Sequence, residues 1–112
     1  MAAEVACREY VVIWTFRVRR GAEPAFTEMY GPDGTWALLF RTAPGFLGTA
    51  LLRDLEGARR YVTIDRWESR EAYDAFRKAS VAAYDALDHE GARLTDDESL
   101  VGDFATVMPG RR

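Results

Sequence analysis

Tyr10-Val11-Val12-Ile13-Trp14-Thr15-Phe16-Arg17-Val18 is the stretch that decides the fold. β-branched and aromatic residues dominate it, and Arg19-Arg20-Gly21 closes it, so it reads as a strand. Side chains alternate across a strand. Val12, Trp14, Phe16 and Val18 therefore share one face, and Val11, Ile13 and Thr15 share the other. Both faces are apolar, as in a central strand with something packed on each side.

Downstream of this strand, Pro24 suits the first turn of a helix over Ala25–Tyr30. Gly31-Pro32-Asp33-Gly34 interrupts it. A second helical piece, Thr35–Thr42, has Asp33 or Thr35 as its cap and Trp36, Leu39 and Phe40 as its apolar face. After Pro44-Gly45 come two more strands, Phe46–Arg53 and Arg60–Trp67, joined by a turn at Asp54–Arg59. Ser69 caps a long helix expected to reach about Asp88, with Glu71 at its positive end. Tyr73, Phe76, Ser80, Ala83, Tyr84 and Leu87 recur on one side as its buried stripe. Gly91 ends the helix, His89–Ser99 reads as polar linker, and Leu100–Met108 is the last strand.

The order is β-α-β-β-α-β. That is one α+β, ferredoxin-like domain over residues 10–108, with a four-stranded antiparallel sheet and flexible tails at 1–9 and 109–112. Right-handed crossovers put the first and third strands in the middle and the helices on one face. The other face stays apolar. A second copy of the sheet is its economical cover, so the expected unit is a homodimer with sheets face to face.

Composition excludes several functions. The 112 residues suit one domain, and 18 acidic against 15 basic residues leave a net charge of −3. The bases are arginines and the single Lys78, spread along the chain, so neither nucleic acid nor an anionic membrane is an expected partner. Cys7 is the one cysteine, which excludes an internal disulfide and a thiolate metal cluster. No apolar run reaches the roughly 18 residues of a membrane span, and Met1–Tyr10 lacks an apolar signal core, so a cytoplasmic location is expected. One histidine, His89, makes no Ser-His-acid grouping. Gly31–Gly34 lacks phosphate-loop spacing.

The third strand carries the candidate chemistry. Tyr61, Thr63, Asp65 and Trp67 share a face opposite Val62, Ile64 and Arg66. Such a face suits a ligand cavity. The plainer alternative is an aromatic core in which Asp65 pairs with an arginine such as Arg53 or Arg17. Trp36, Phe40 and Tyr84 would roof the cavity from the helices, and Arg41 and Asp33 border the helix break.

Several segments together resemble one known family. They are Tyr10–Val18 with Arg20-Gly21, Tyr30-Gly31-Pro32-Asp33-Gly34, Ala43-Pro44-Gly45-Phe46 and Ile64-Asp65-Arg66-Trp67-Glu68-Ser69. From roughly Tyr10 to Met108 they look like the antibiotic biosynthesis monooxygenase domain. The resemblance implies a dimeric α+β barrel with a cavity in each subunit between sheet and helices. It also implies the chemistry of relatives that turn anthrones into quinones with O₂ as co-substrate and no cofactor. In those relatives a Trp at the strand-to-helix corner and a Tyr six residues later line the pocket, and Trp67 and Tyr73 match them. Thr63 stands where those relatives carry Asn. The catalytic candidates are thus Trp67, Tyr73, Thr63 and Asp65, and the substrate-binding candidates are Tyr61, Trp36, Phe40, Phe76 and Tyr84. A non-catalytic dimer binding a small apolar ligand is the alternative.

Haem-degrading relatives form a third reading. They use an Asn, a Trp and a His ligand. This chain contains no Asn, Phe76 falls at their Trp position, and their ligand position falls near Ala86. On a continuous helix His89 lies about 160° from Tyr73, pointing to solvent.

Overall fold

The strand at Tyr10–Val18 is β1 of a computed structural model that describes residues 9–107. The tail at 109–112, most of the lead-in, Cys7, and Met108 at the expected end of the last strand lie outside the described residues. Glu9 is described, and its carboxylate accepts two hydrogen bonds from the Arg66 guanidinium, at 3.0 and 2.9 Å.

After β1 come α1 (Glu23–Tyr30), α2 (Thr35–Phe40), β2 (Phe46–Arg53), β3 (Arg60–Trp67), α3 (Arg70–Ala79), α4 (Val81–Ala92) and β4 (Thr95–Ala105). The sheet order is β2-β3-β1-β4, with every neighbour antiparallel. β1 and β3 are central, as the crossover argument requires. Among the described residues, no helix is long and apolar enough to cross a membrane.

Strand parity separates the two faces. Val12, Phe16, Val18, Tyr61, Thr63, Asp65 and Trp67 are buried. Helix residues Phe26, Tyr30, Phe40 and Phe76 stack on that side, with ring centroids 5.2 Å apart for Phe16–Phe26 and 5.3 Å for Trp67–Phe76. All four helices pack there. The opposite face carries Val11, Ile13, Val62 and Ile64, which are half-buried, and Leu52 and Phe104, which are exposed.

Three local expectations are corrected. The break between α1 and α2 is capped by Gly34, not by a side chain of Asp33 or Thr35. A Cβ at Gly34 would collide with the carbonyl oxygens of Glu28 and Met29, so only glycine lets the chain turn back this tightly. The long helix is broken at Ser80 (φ −123°) into α3 and α4, and α4 runs past Gly91 to Ala92. Gly91 serves another purpose: a Cβ there would overlap the Tyr30 hydroxyl, so it makes room for that ring inside the fold. Finally, β4 begins at Thr95, not Leu100, because Thr95–Ser99 pair with Val18–Thr15 of β1 through backbone hydrogen bonds. Backbone pairing needs no apolar side chains, so hydropathy alone does not reveal this half of the strand.

The start of α3 matches expectation. Ser69 Oγ accepts from the Ala72 amide at 3.1 Å, and Glu71 lies in the first turn. Ser69→Ala removes that acceptor and is expected to lower stability by about 1 kcal/mol, measured as a shift of the urea midpoint at unchanged slope.

Candidate functional site

A cavity of about 40 Å³ lies between the buried sheet face and the helices. That volume is room for a few waters, not for a fused-ring molecule. The central strands supply its floor: Val12, Trp14 and Phe16 from β1, Thr63 and Asp65 from β3, and Thr49 from β2. Tyr30, Trp36 and Phe40 wall it from α1 and α2, and Tyr73 and Tyr84 from α3 and α4. Asp88 of α4 and Glu98 of β4 complete the lining.

Asp65 is the chemically unusual member. Register places it between Val12 on β1 and Thr49 on β2. It is 9% exposed, and Oδ1 accepts from the Thr49 hydroxyl at 2.7 Å. Oδ2 accepts no hydrogen bond among the described residues, and the pairing with Arg53 or Arg17 weighed from the sequence is not made. Burial pushes its carboxyl up to about 6, and the Thr49 hydrogen bond pulls the other way.

Burial keeps two of the lining phenols, Tyr30 and Tyr84, in the neutral form. Burial pushes Tyr30 up to about 12. It also raises Tyr84, whose ring lies 3.9 Å beneath the Arg77 guanidinium. Arg77 Nη1 donates to the Tyr73 hydroxyl at 3.0 Å, so one arginine clasps two cavity walls across the break at Ser80.

Six of the nine sequence candidates come together here: Thr63, Asp65, Tyr73, Trp36, Phe40 and Tyr84. Three do not reach the lining. Trp67 is fully buried behind it, with ring centroids 5.6 Å from Phe40, 5.2 Å from Phe46 and 5.5 Å from Tyr73. Its indole N–H has no acceptor. Phe76 is packed beside it. Tyr61 shares a strand face with Asp65 but sits a further turn of the pleat away, donating to Glu23 at 2.6 Å. Of the lining residues that sequence reasoning missed, four bear on chemistry: Trp14, Thr49, Asp88 and Glu98. The parity of β1 and the β2–β3 register could have found the first two; the last two depend on how α4 meets β4.

His89 is exposed and lines a separate outer groove with Arg19, Glu28, Asp33 and Arg93. Asp33 there accepts from Arg41 at 2.7 Å. Among the described residues no group of His, Cys, Asp and Glu is arranged to hold a metal ion.

A family profile described as antibiotic biosynthesis monooxygenase matches residues 9–83. A mycobilin-producing heme oxygenase of Mycobacterium tuberculosis (strain H37Rv) is 43% identical over 98 residues, covering 88% of this chain and 89% of that protein. Among solved structures, a variant of SnoaB, a cofactor-independent oxygenase from Streptomyces nogalater, superposes with a TM-score of 0.74 at 22% identity, covering 90% of this chain and 95% of SnoaB. A putative antibiotic biosynthesis monooxygenase from Bordetella bronchiseptica gives 0.66 at 20% identity, covering 89% and 98%.

Proposed function

This chain belongs to the antibiotic biosynthesis monooxygenase family, and we propose that it oxidises a small, electron-rich aromatic molecule with O₂ in the cavity beneath its sheet, as a homodimer. The carrying observation is Asp65: a nine-tenths buried carboxyl with no ion-pair partner among the described residues, in an aromatic cavity, pushed up to about 6. Such a group is poised to take a proton near neutral pH.

For an anthrone-like substrate the balance is as follows. Asp65 removes the acidic C–H proton, leaving an enolate. The enolate passes one electron to O₂, and the two radicals combine into a peroxide. The peroxide regains a proton and loses water, leaving a second carbonyl. One O₂ thus yields one quinone oxygen and one water. The hydroxyls of Thr63 and Tyr73 would donate to the enolate oxygen, and the aromatic walls exclude water. A fused-ring substrate exceeds the present volume, so the walls must part. Tyr73 and Tyr84, held by Arg77 on either side of the helix break, are the walls suited to move. Trp67 acts from behind, backing Tyr73 and Phe40.

Oxygen uptake with 1,8-dihydroxyanthrone tests this. Above the buffer blank, kcat/KM is expected to rise about tenfold per pH unit and level off near pH 6, as Asp65 loses its proton. Uptake no faster than the blank, with ligand bound, would favour a binding protein.

The mycobacterial relative's name favours a second reading, action on haem. The lining does not fit a histidine-ligated haem. It contains no His, Cys or Met, and its three carboxylates face no cation that could meet haem propionates. A haem titration is expected to give no histidine-ligated Soret band.

A further inference from the structure

Two side chains of the cavity lining, each nine-tenths buried, carry a polar atom that nothing among the described residues pairs. One is Asp65 on the floor, through Oδ2. The other is Trp36 on the wall, through its indole N–H. Trp36 is the second residue of α2, directly after the tight turn at Gly34. Three rings pack against it, with centroids 5.0 Å away for Tyr84, 5.6 Å for Phe40 and 6.2 Å for Tyr30. Its N–H is therefore held inside the fold, away from water. The Tyr30 phenol feels that N–H, which opposes the upward push of burial, yet no hydrogen bond joins the two. The Trp67 N–H also lacks an acceptor, but its ring lies behind the lining. A buried donor left unpaired costs free energy, which an acceptor on a ligand recovers. The lining holds three carboxylates and no Lys, Arg or His. A negatively charged acceptor is thus repelled, and a neutral carbonyl oxygen suits the N–H.

We propose that the Trp36 N–H is the specificity-determining donor of this cavity, so that the substrate carries a ring carbonyl held by Trp36 while its acidic C–H faces Asp65 Oδ2. The proposal rests on the oxidation reading above and narrows its substrate class to aromatic ketones. An anthrone carries its carbonyl and its acidic carbon on opposite sides of one ring, and the donor and the base stand on wall and floor. As Asp65 takes the proton, charge develops on the carbonyl oxygen and the hydrogen bond from Trp36 strengthens. An indole N–H can only donate, whereas the hydroxyls of Thr63 and Tyr73 donate or accept. Trp36 thus fixes which way round the ligand lies.

1-Tetralone and tetralin, bicyclic molecules that differ by one carbonyl, test this without oxidation. Binding is read by equilibrium dialysis under argon. The native chain is expected to bind 1-tetralone about tenfold tighter than tetralin. Trp36→Phe keeps an aromatic ring and removes the N–H, so the preference should fall to about twofold or less. Lost packing alone would weaken both ligands alike and leave the preference in place. Should Trp36→Phe fail to melt cooperatively, replacing Trp36 by 3-benzothienylalanine, which puts sulfur where the N–H was in a ring of the same shape, gives the same reading. A native chain that binds tetralin as tightly as 1-tetralone overturns the proposal, and so does a preference that survives loss of the N–H. Either result, with oxygen uptake from the anthrone above the blank, leaves the oxidation reading standing. Failure of both probes to bind also overturns the proposal, and no uptake from the anthrone besides overturns both.

Discussion

At pH 7 the variant Asp65→Asn is expected to melt roughly 10 °C above the native chain, and to have lost turnover by at least about a hundredfold. The two effects have one cause. The carboxyl is pushed up from its ordinary 3.8 to about 6 because burial strips water from the charged form. At pH 7 it is nevertheless ionised, in a place that disfavours the charge. The displacement corresponds to roughly 3 kcal/mol of lost stability. Asparagine keeps the shape and can still accept from the Thr49 hydroxyl, but it carries no charge and cannot take a proton.

The sign gives the test its force. A raised folded-state value means the folded chain holds its proton more tightly than the unfolded chain. The stability that neutral Asp65 contributes is complete below about pH 4 and is lost as pH rises through about 6. Native chain and variant should therefore agree closely in urea denaturation at pH 4. They should differ by roughly 2–3 kcal/mol at pH 7, the variant being the stabler. A variant less stable than the native chain at pH 7 would remove the buried-charge account. One with undiminished turnover would remove Asp65 as the base.

Legibility in the sequence followed the kind of force at work. β1, β2 and β3 were readable to the residue: β-branched and aromatic residues mark β1 and β3, and Pro44-Gly45 and the Asp54–Arg59 turn bound the leucine-rich β2. The polar first half of β4 was not, since its pairing with β1 is a matter of backbone hydrogen bonds. The break at Ser80 was also hidden, because the apolar stripe of the long helix continues through it. In the site, parity placed Thr63 and Asp65 correctly on the cavity side. It could not tell that Tyr61 lies too far along the strand, or that Trp67 is walled off by Phe40, Phe46 and Tyr73. Face is a property of the strand, whereas depth depends on which helix arrives above it. Asp88 and Glu98 needed still more, the approach of α4 to β4.

The second large effect concerns the face the helices leave bare. Ile64→Glu is expected to convert a micromolar dimer into a folded monomer. Ile64 stands at the middle of this face, opposite Ile13 on β1 and Ala50 on β2. Around it are half-buried Val11 and Val62, and exposed Leu52 and Phe104. Nothing among the described residues packs over this row, since every helix lies on the other side. A patch this apolar at the centre of a sheet is normally covered, and a second copy covers it symmetrically. A carboxylate at the centre of that contact would be desolvated from both sides with no cation in place. The cost is several kcal/mol, weakening association by about a thousandfold or more. In the separated chain the same side chain reaches water, so the helix-covered core and the cavity should survive. Sedimentation at matched concentrations reads the mass, and circular dichroism confirms the fold of the variant. A native chain that sediments as a folded monomer at micromolar concentration would leave the bare face without its proposed cover. A variant that stays dimeric would put the contact on another surface.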